Sequence, residues 1–193
     1  MKKIVTLCFC IGFICAMQTT AFSQIKYKLL ATSKTSTMQK ELNQLADQGF
    51  RFEGVSGGET SFGGSEVLAI MSKAPDQKGT FKYILLATSK TGTMQKELQE
   101  AGDNGYEYRG QVVFKTFIGG DEVVTILEKD PTRTDMTRYE YKLYATKKTS
   151  TMEKELNEAG DAGYSFVGVT VGKTFVGGSE VVVITRKKAK VIP

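Results

Sequence analysis

Two sets of residues in this 193-residue chain have the types and spacing to do chemistry. Lys34-Thr35, Lys90-Thr91 and Lys148-Thr149 each stand just ahead of a stretch with helical periodicity. A cation beside hydroxyls and the free N–H groups of a helix start forms a cradle for an anion. The competing reading is helix capping: Ser36 with Gln39 and Ser150 with Glu153 fit the reciprocal capping box, and Gly92 with Gln95 fits it less well. Glu66, Glu122 and Glu180 each close a Thr-x-x-Gly-Gly-x-Glu segment that begins at Thr60, Thr116 or Thr174. The glycines let a ligand approach the backbone beside a carboxylate, and Glu66 with Asp47 is a candidate acid–base pair of the kind glycosidases use. A plain hairpin with Thr and Glu paired across its strands explains the same pattern. Finally, Phe50/Phe52, Tyr106/Tyr108 and Tyr164/Phe166 alternate. Exposed, they would form a stacking platform; buried, they would form one sheet face under a helix, the simpler reading.

Composition removes most other chemistry. The chain has no His and no Trp, and Cys8, Cys10 and Cys15 all lie within residues 1–23. That segment reads as a secretory signal: Lys2 and Lys3, an apolar run from Ile4 to Ala16, then Ala21-Phe22-Ser23 before Gln24. Its removal leaves about 170 residues, a net charge of about +3 and no cysteine. Such a chain has no disulfide, no thiolate or imidazole ligand for a metal, no Cys or His nucleophile and no Ser-His-Asp triad. The expectation is therefore a protein without cofactor or metal, and not an enzyme. No later apolar run reaches ~18 residues, which predicts export to the periplasm or beyond without a membrane span. Basic and acidic residues are interspersed, which speaks against a nucleic-acid partner. The one basic cluster, Arg186-Lys187-Lys188-Ala189-Lys190, reads as a strand end and a solvated tail.

The elements that must position these residues are repeated. Tyr27–Lys73, Tyr83–Lys129 and Tyr141–Lys187 align without a gap over 47 positions, and 21 of them are identical in all three segments. A period of this size is the mark of a stacked-unit architecture. In each unit a short aromatic and aliphatic strand, Tyr27–Thr32 in the first, leads to the hydroxyl-rich stretch. Met38, Leu42 and Leu45 then fall at i, i+4 and i+7, the stripe of a helix predicted over Ser36–Gln48, with counterparts at Gly92–Asn104 and Ser150–Ala162. Gly49 ends the helix, since the residue there needs positive φ. A second strand carries the alternating aromatics, the glycine pair turns the chain, and a third strand runs over Glu66–Lys73. The fold class expected is α+β: three tandem β-α-β-β repeats with helices packed on a mainly antiparallel sheet. The organisation expected is a signal over 1–23 and units over 24–76, 80–130 and 138–193, joined by short linkers around Pro75 and Pro131. Units of about 47 residues without disulfides are marginal alone and should dock. Val123, Val124, Ile126 and Leu127, like Val181–Ile184, are apolar on both alternating faces, so one face should lie under the unit's own helix and the other against a neighbour.

The strand opening Tyr139-Glu140-Tyr141-Lys142 and the helix ends Leu98–Tyr106 and Leu156–Tyr164, of the form Leu-x-x-x-Gly-Asp-x-Gly-Tyr, resemble a small bacterial family of β-α-β-β domains known only as a domain of unknown function. In that family Trp and Glu typically follow the helix-ending Gly. Here Tyr106-Glu107 comes nearest, Phe50-Arg51 and Tyr164-Ser165 depart further, and Ala46 stands where the other units have Gly102 and Gly160. The resemblance spans about three quarters of the exported chain and implies the fold and a small-ligand or partner-binding role. The function expected is an exported binding protein whose repeated surfaces hold a small anionic ligand or an envelope protein. The alternatives are a structural or protein-interaction module of the envelope, and an envelope enzyme using the Glu-bearing hairpins.

Overall fold

The computed structural model describes residues 24–59, 65–77, 80–115, 121–135, 137–173 and 179–189. Residues 1–23, read above as a signal, and the pairs Gly63-Gly64, Gly119-Gly120 and Gly177-Gly178 lie outside these ranges. Each unit is strand, helix, strand, strand. Unit 1 comprises β1 (Lys26–Thr32), α1 (Thr35–Asp47), β2 (Arg51–Glu59) and β3 (Ser65–Lys73). Unit 2 comprises β4 (Lys82–Thr88), α2 (Thr91–Asp103), β5 (Glu107–Lys115) and β6 (Asp121–Lys129). Unit 3 comprises β7 (Tyr139–Thr146), α3 (Thr149–Asp161), β8 (Ser165–Lys173) and β9 (Ser179–Lys188). The third strand is the middle of each sheet, in the orders β1-β3-β2, β4-β6-β5 and β7-β9-β8, and every pairing is antiparallel. The last two strands of a unit therefore pair as the expected hairpin, from Glu59 opposite Ser65 inward.

The helices begin two residues earlier than the capping box requires. Lys34, Lys90 and Lys148 are the N-caps, in extended backbone and without a side-chain cap bond. Ser36 and Ser150 thus sit inside the first turn, and the capping-box assignment is corrected. The physical reason is at the strand end. The Lys34 N–H donates to Thr32 Oγ1 at 3.2 Å, which turns the chain so that the Lys34 carbonyl already accepts from Met38 N at 3.1 Å. Thr88 and Thr146 turn the other two units in the same way. At the far end, Gly49, Gly105 and Gly163 have φ of +84°, +81° and +81°, the left-handed conformation that glycine adopts without strain.

The units form a row, and their cores run across the seams. Met38, Leu42 and Ala46 of α1, with Phe52 and Met71, pack in one cluster with Phe81, Tyr83, Val124 and Ile126 of unit 2. Met94 and Leu98 of α2, with Val123 and Leu127, pack with Tyr139, Tyr141, Val182 and Ile184 of unit 3. The middle strand is thus covered on both faces, Val123 and Leu127 by its own helix and Val124 and Ile126 by the preceding unit. Leu98 is fully buried in the second of these clusters. Leu98→Ala should therefore cost about 2 to 5 kcal/mol and lower a single calorimetric transition of the whole chain. Separate transitions, with unit 1 unmoved, would show that the units melt as independent beads.

Candidate functional site

The structure gathers the sequence-derived candidates at one end of each unit but does not bring the three sets together. Glu66 precedes Val67, whose partner on β1 is Thr32, two residues before Lys34. Lys34 and Lys148 are exposed, Thr35 and Glu66 are half-buried, and the same placement holds for Lys90, Thr91, Thr149, Glu122 and Glu180 at the ends of their own strands and helices. The aromatic pairs divide by unit. Phe50 and Phe52 are core, Tyr106 and Tyr108 are half-buried, and Phe166 is 58% exposed. Among the described residues no group of three acidic side chains is placed to hold a metal, and no helix is long and apolar enough to cross a membrane.

What sequence reading missed is the chemistry of the seams. The outer face of each helix carries amides that pair with the backbone of the next unit's first strand. Asn43 donates through Nδ2 to Tyr83 O at 2.9 Å and accepts through Oδ1 from Tyr83 N at 3.0 Å, while Gln39 Oε1 accepts from Leu85 N at 2.8 Å. One seam on, Gln99 Oε1 accepts from Tyr141 N at 3.0 Å and Gln95 Oε1 from Leu143 N at 2.7 Å. The first strand is a sheet edge, and these side chains satisfy N–H and C=O groups that an open edge would expose. In the sequence, Gln39 and Asn43 merely look like the wet side of an amphipathic helix.

A tyrosine then threads each seam. Tyr83 Oη accepts from Phe52 N at 2.9 Å and donates to Glu128 at 2.7 Å. Tyr141 Oη accepts from Tyr108 N at 2.7 Å and donates to Tyr106 O at 3.0 Å. Phe52 and Tyr108 both lie where the second strand bulges, and beneath them the next unit presents glycine. A Cβ on Gly110 would meet Val55 at 3.1 Å, and one on Gly168 would meet the Tyr108 hydroxyl at 2.0 Å. Gly102 of α2 is packed as tightly, since its Cβ would lie 2.2 Å from Tyr139 O.

The ion pairs at the two seams have opposite polarity. Arg51 of unit 1 holds Glu128 of unit 2 at 2.8 Å, and at the equivalent positions Glu107 of unit 2 holds Arg186 of unit 3, also at 2.8 Å. Burial, then the neighbouring Glu128 carboxylate, pushes the Tyr83 phenol far above its usual value near 10. Burial does the same to Tyr141. A phenol whose proton is held more tightly in the fold stabilises the fold below about pH 10, and that stability is lost as pH rises beyond it. The urea midpoint should therefore fall between about pH 9 and about pH 11, and Tyr83→Phe combined with Tyr141→Phe should flatten that alkaline limb. An unchanged slope in the double variant would remove the two phenols as its cause.

Among the described residues, nothing covers either end of the row. At the first end, the head, Tyr27 is 64% exposed where Tyr83 and Tyr141 are each 2%. Leu29 and Ile70 are exposed beside it, and no atom lies within 4 Å of where a Cβ on Gly54 or Gly58 would stand. At the last end, the tail, Glu153, Asn157 and Gly160 of α3 are exposed, as are Phe166, Val169 and Val171 of β8. A shallow groove of about 340 Å³ runs there between Met152, Leu156 and Val181, with Glu153 and Asn157 on its rim. These are the counterparts of the residues with which α1 holds β4. The fold and its seams define a class: a short tandem-repeat protein of stacked β-α-β-β units. No protein-family model matches the chain, and no curated protein or solved structure does either.

Proposed function

We propose that the chain is an exported, non-enzymatic interaction protein that binds protein partners through the open ends of its row of units. One observation carries this reading: the surface that each unit buries against its neighbour is left uncovered by the described residues at the two ends of the row. Arrays of repeats ordinarily close their ends with polar faces, and apolar patches left open mark interaction sites. A photo-crosslinking residue at Tyr27 or Phe166 in the native host should give protein adducts, while one at the exposed Lys40 of α1 should give none. Absence of adducts from both ends overturns the reading.

A small anion bound at the helix starts is a second reading, supported by the absence of a side-chain cap at Lys34, Lys90 and Lys148 and of acids in the first turns. Titration with inorganic phosphate should move the amide resonances of Thr35, Thr91 and Thr149. The triple Lys→Met variant should fold as the wild type does and lose that response. No movement in the wild type removes the anion from consideration.

A further inference from the structure

We infer that the partner at the open ends is a second copy of the chain: the tail of unit 3 docks on the head of unit 1 of the next molecule, making a third version of the seam that occurs twice within the chain. This deepens the interaction reading above and rests on it.

The two surfaces match position by position. Asn157 stands where Asn43 stands, and Asn43 closes a two-point bond with the main chain of Tyr83. Tyr27 is the head residue equivalent to Tyr83, so Asn157 takes both the N–H and the C=O of Tyr27. Glu153 replaces Gln39 and Gln95, both of which accept through Oε1 from an N–H of the next strand; Gln95 also donates through Nε2 to Tyr141 O at 2.9 Å, a bond that Glu153 leaves to the Asn157 amide. A carboxylate supplies that acceptor for the N–H of Leu29. Phe166 stands where Phe52 and Tyr108 lie over Gly110 and Gly168, and the corresponding head glycine, Gly54, has open space around its α-carbon. Gly160 is equally open, whereas its counterpart Gly102 is filled by the Tyr139 carbonyl and the Tyr141 ring. The tail therefore offers a smooth floor for the Tyr27 ring, and the Tyr27 hydroxyl reaches the N–H of Phe166 as Tyr83 reaches that of Phe52.

The ion-pair positions are compatible. At the place of Arg51–Glu128 and Glu107–Arg186, a tail-to-head contact sets Ser165 against Ser72. Neither is charged, so no like-charge pair forms at that point. The charge that the head brings there is the Glu53 carboxylate, which accepts from the Ser72 hydroxyl and stands in the place from which Arg109 donates to Phe52 O. The contact joins two different surfaces, so it is heterologous and propagates into a filament or closes into a ring.

Sedimentation velocity on the purified protein tests this. The wild type should form a concentration-dependent ladder of oligomers. Tyr27→Asp blocks the head and Asn157→Arg blocks the tail. Both positions are exposed in the single chain, so both variants should melt as the wild type does. Each variant alone should stay monomeric, and an equimolar mixture should form dimers and stop there, since only one open head and one open tail remain. A wild type that is monomeric up to millimolar concentration overturns the inference. So does a ladder that either variant leaves intact, or a mixture that stays monomeric while the wild type assembles. If the purified chain is monomeric yet Tyr27 and Phe166 crosslink to a different protein in cells, self-association fails and the interaction reading stands.

Discussion

Replacing Tyr83 by alanine should cost about 3 to 5 kcal/mol, the range for removing a large buried aromatic side chain. The same change at Tyr27 should stay within about 0.5 kcal/mol in dilute solution. The two residues open equivalent strands, Tyr27-Lys28-Leu29-Leu30-Ala31-Thr32 and Tyr83-Ile84-Leu85-Leu86-Ala87-Thr88, so local strand propensity is nearly the same for both. They differ in what lies over them. Tyr83 is buried, bonded to Phe52 N and Glu128, and clustered with the α1 stripe; Tyr27 has no preceding unit above it among the described residues. The difference between the two losses, read from urea unfolding, is thus a measure of the seam itself. Equal losses at both positions would mean that the seam contributes little and that the strand alone uses its tyrosine.

The second large effect is at the ion pair. Arg51→Glu should cost about 3 kcal/mol, because it takes from the buried Glu128 its nearer cation, leaving only Arg109 at 3.8 Å, and sets a second carboxylate against it. Glu128→Arg alone should cost a similar amount for the mirror-image reason. The double exchange should recover part of the loss, since unit 2 and unit 3 already meet with that polarity through Glu107 and Arg186. Val167 stands there in the place of Arg109, which would lie beside the guanidinium that Glu128→Arg introduces. A double-mutant cycle measures the coupling. Additive losses would show that each side chain acts through its own packing and not through the pair.

Much of the architecture is legible in the residues. The stripe Met38, Leu42, Leu45 marks the helix, the positive φ at Gly49, Gly105 and Gly163 is what the glycine rule asks for, and the doubly apolar third strand foretells cover on both faces. The helix start departs from the sequence pattern because Ser36 and Gln39 satisfy a capping rule that the Thr32 hydroxyl pre-empts by turning the chain earlier. The seams were not legible for a different reason. A glutamine or asparagine on the outer face of a helix looks alike whether it meets water or a neighbour's backbone, and only the three-dimensional stacking tells them apart. One signal was available. Positions that are equivalent yet exchange Arg and Glu between units, Arg51 with Glu107 and Glu128 with Arg186, are places where adjacent units touch.

The reversed polarity of the two seams bears on the history of the gene. Coding repeats this similar invite unequal recombination, which drops a copy or adds one. A chain that lost unit 2 would set Arg51 against Arg186, and a chain that doubled unit 2 would set Glu107 against Glu128. Either event places like charges at a joint that the parent protein fills with an ion pair, and the product is destabilised as a folded protein although every unit in it is intact. The unit-2 deletion should accordingly melt below the parent, and Arg51→Glu should rescue it. The number of units is in this way inspected by electrostatics each time the chain folds.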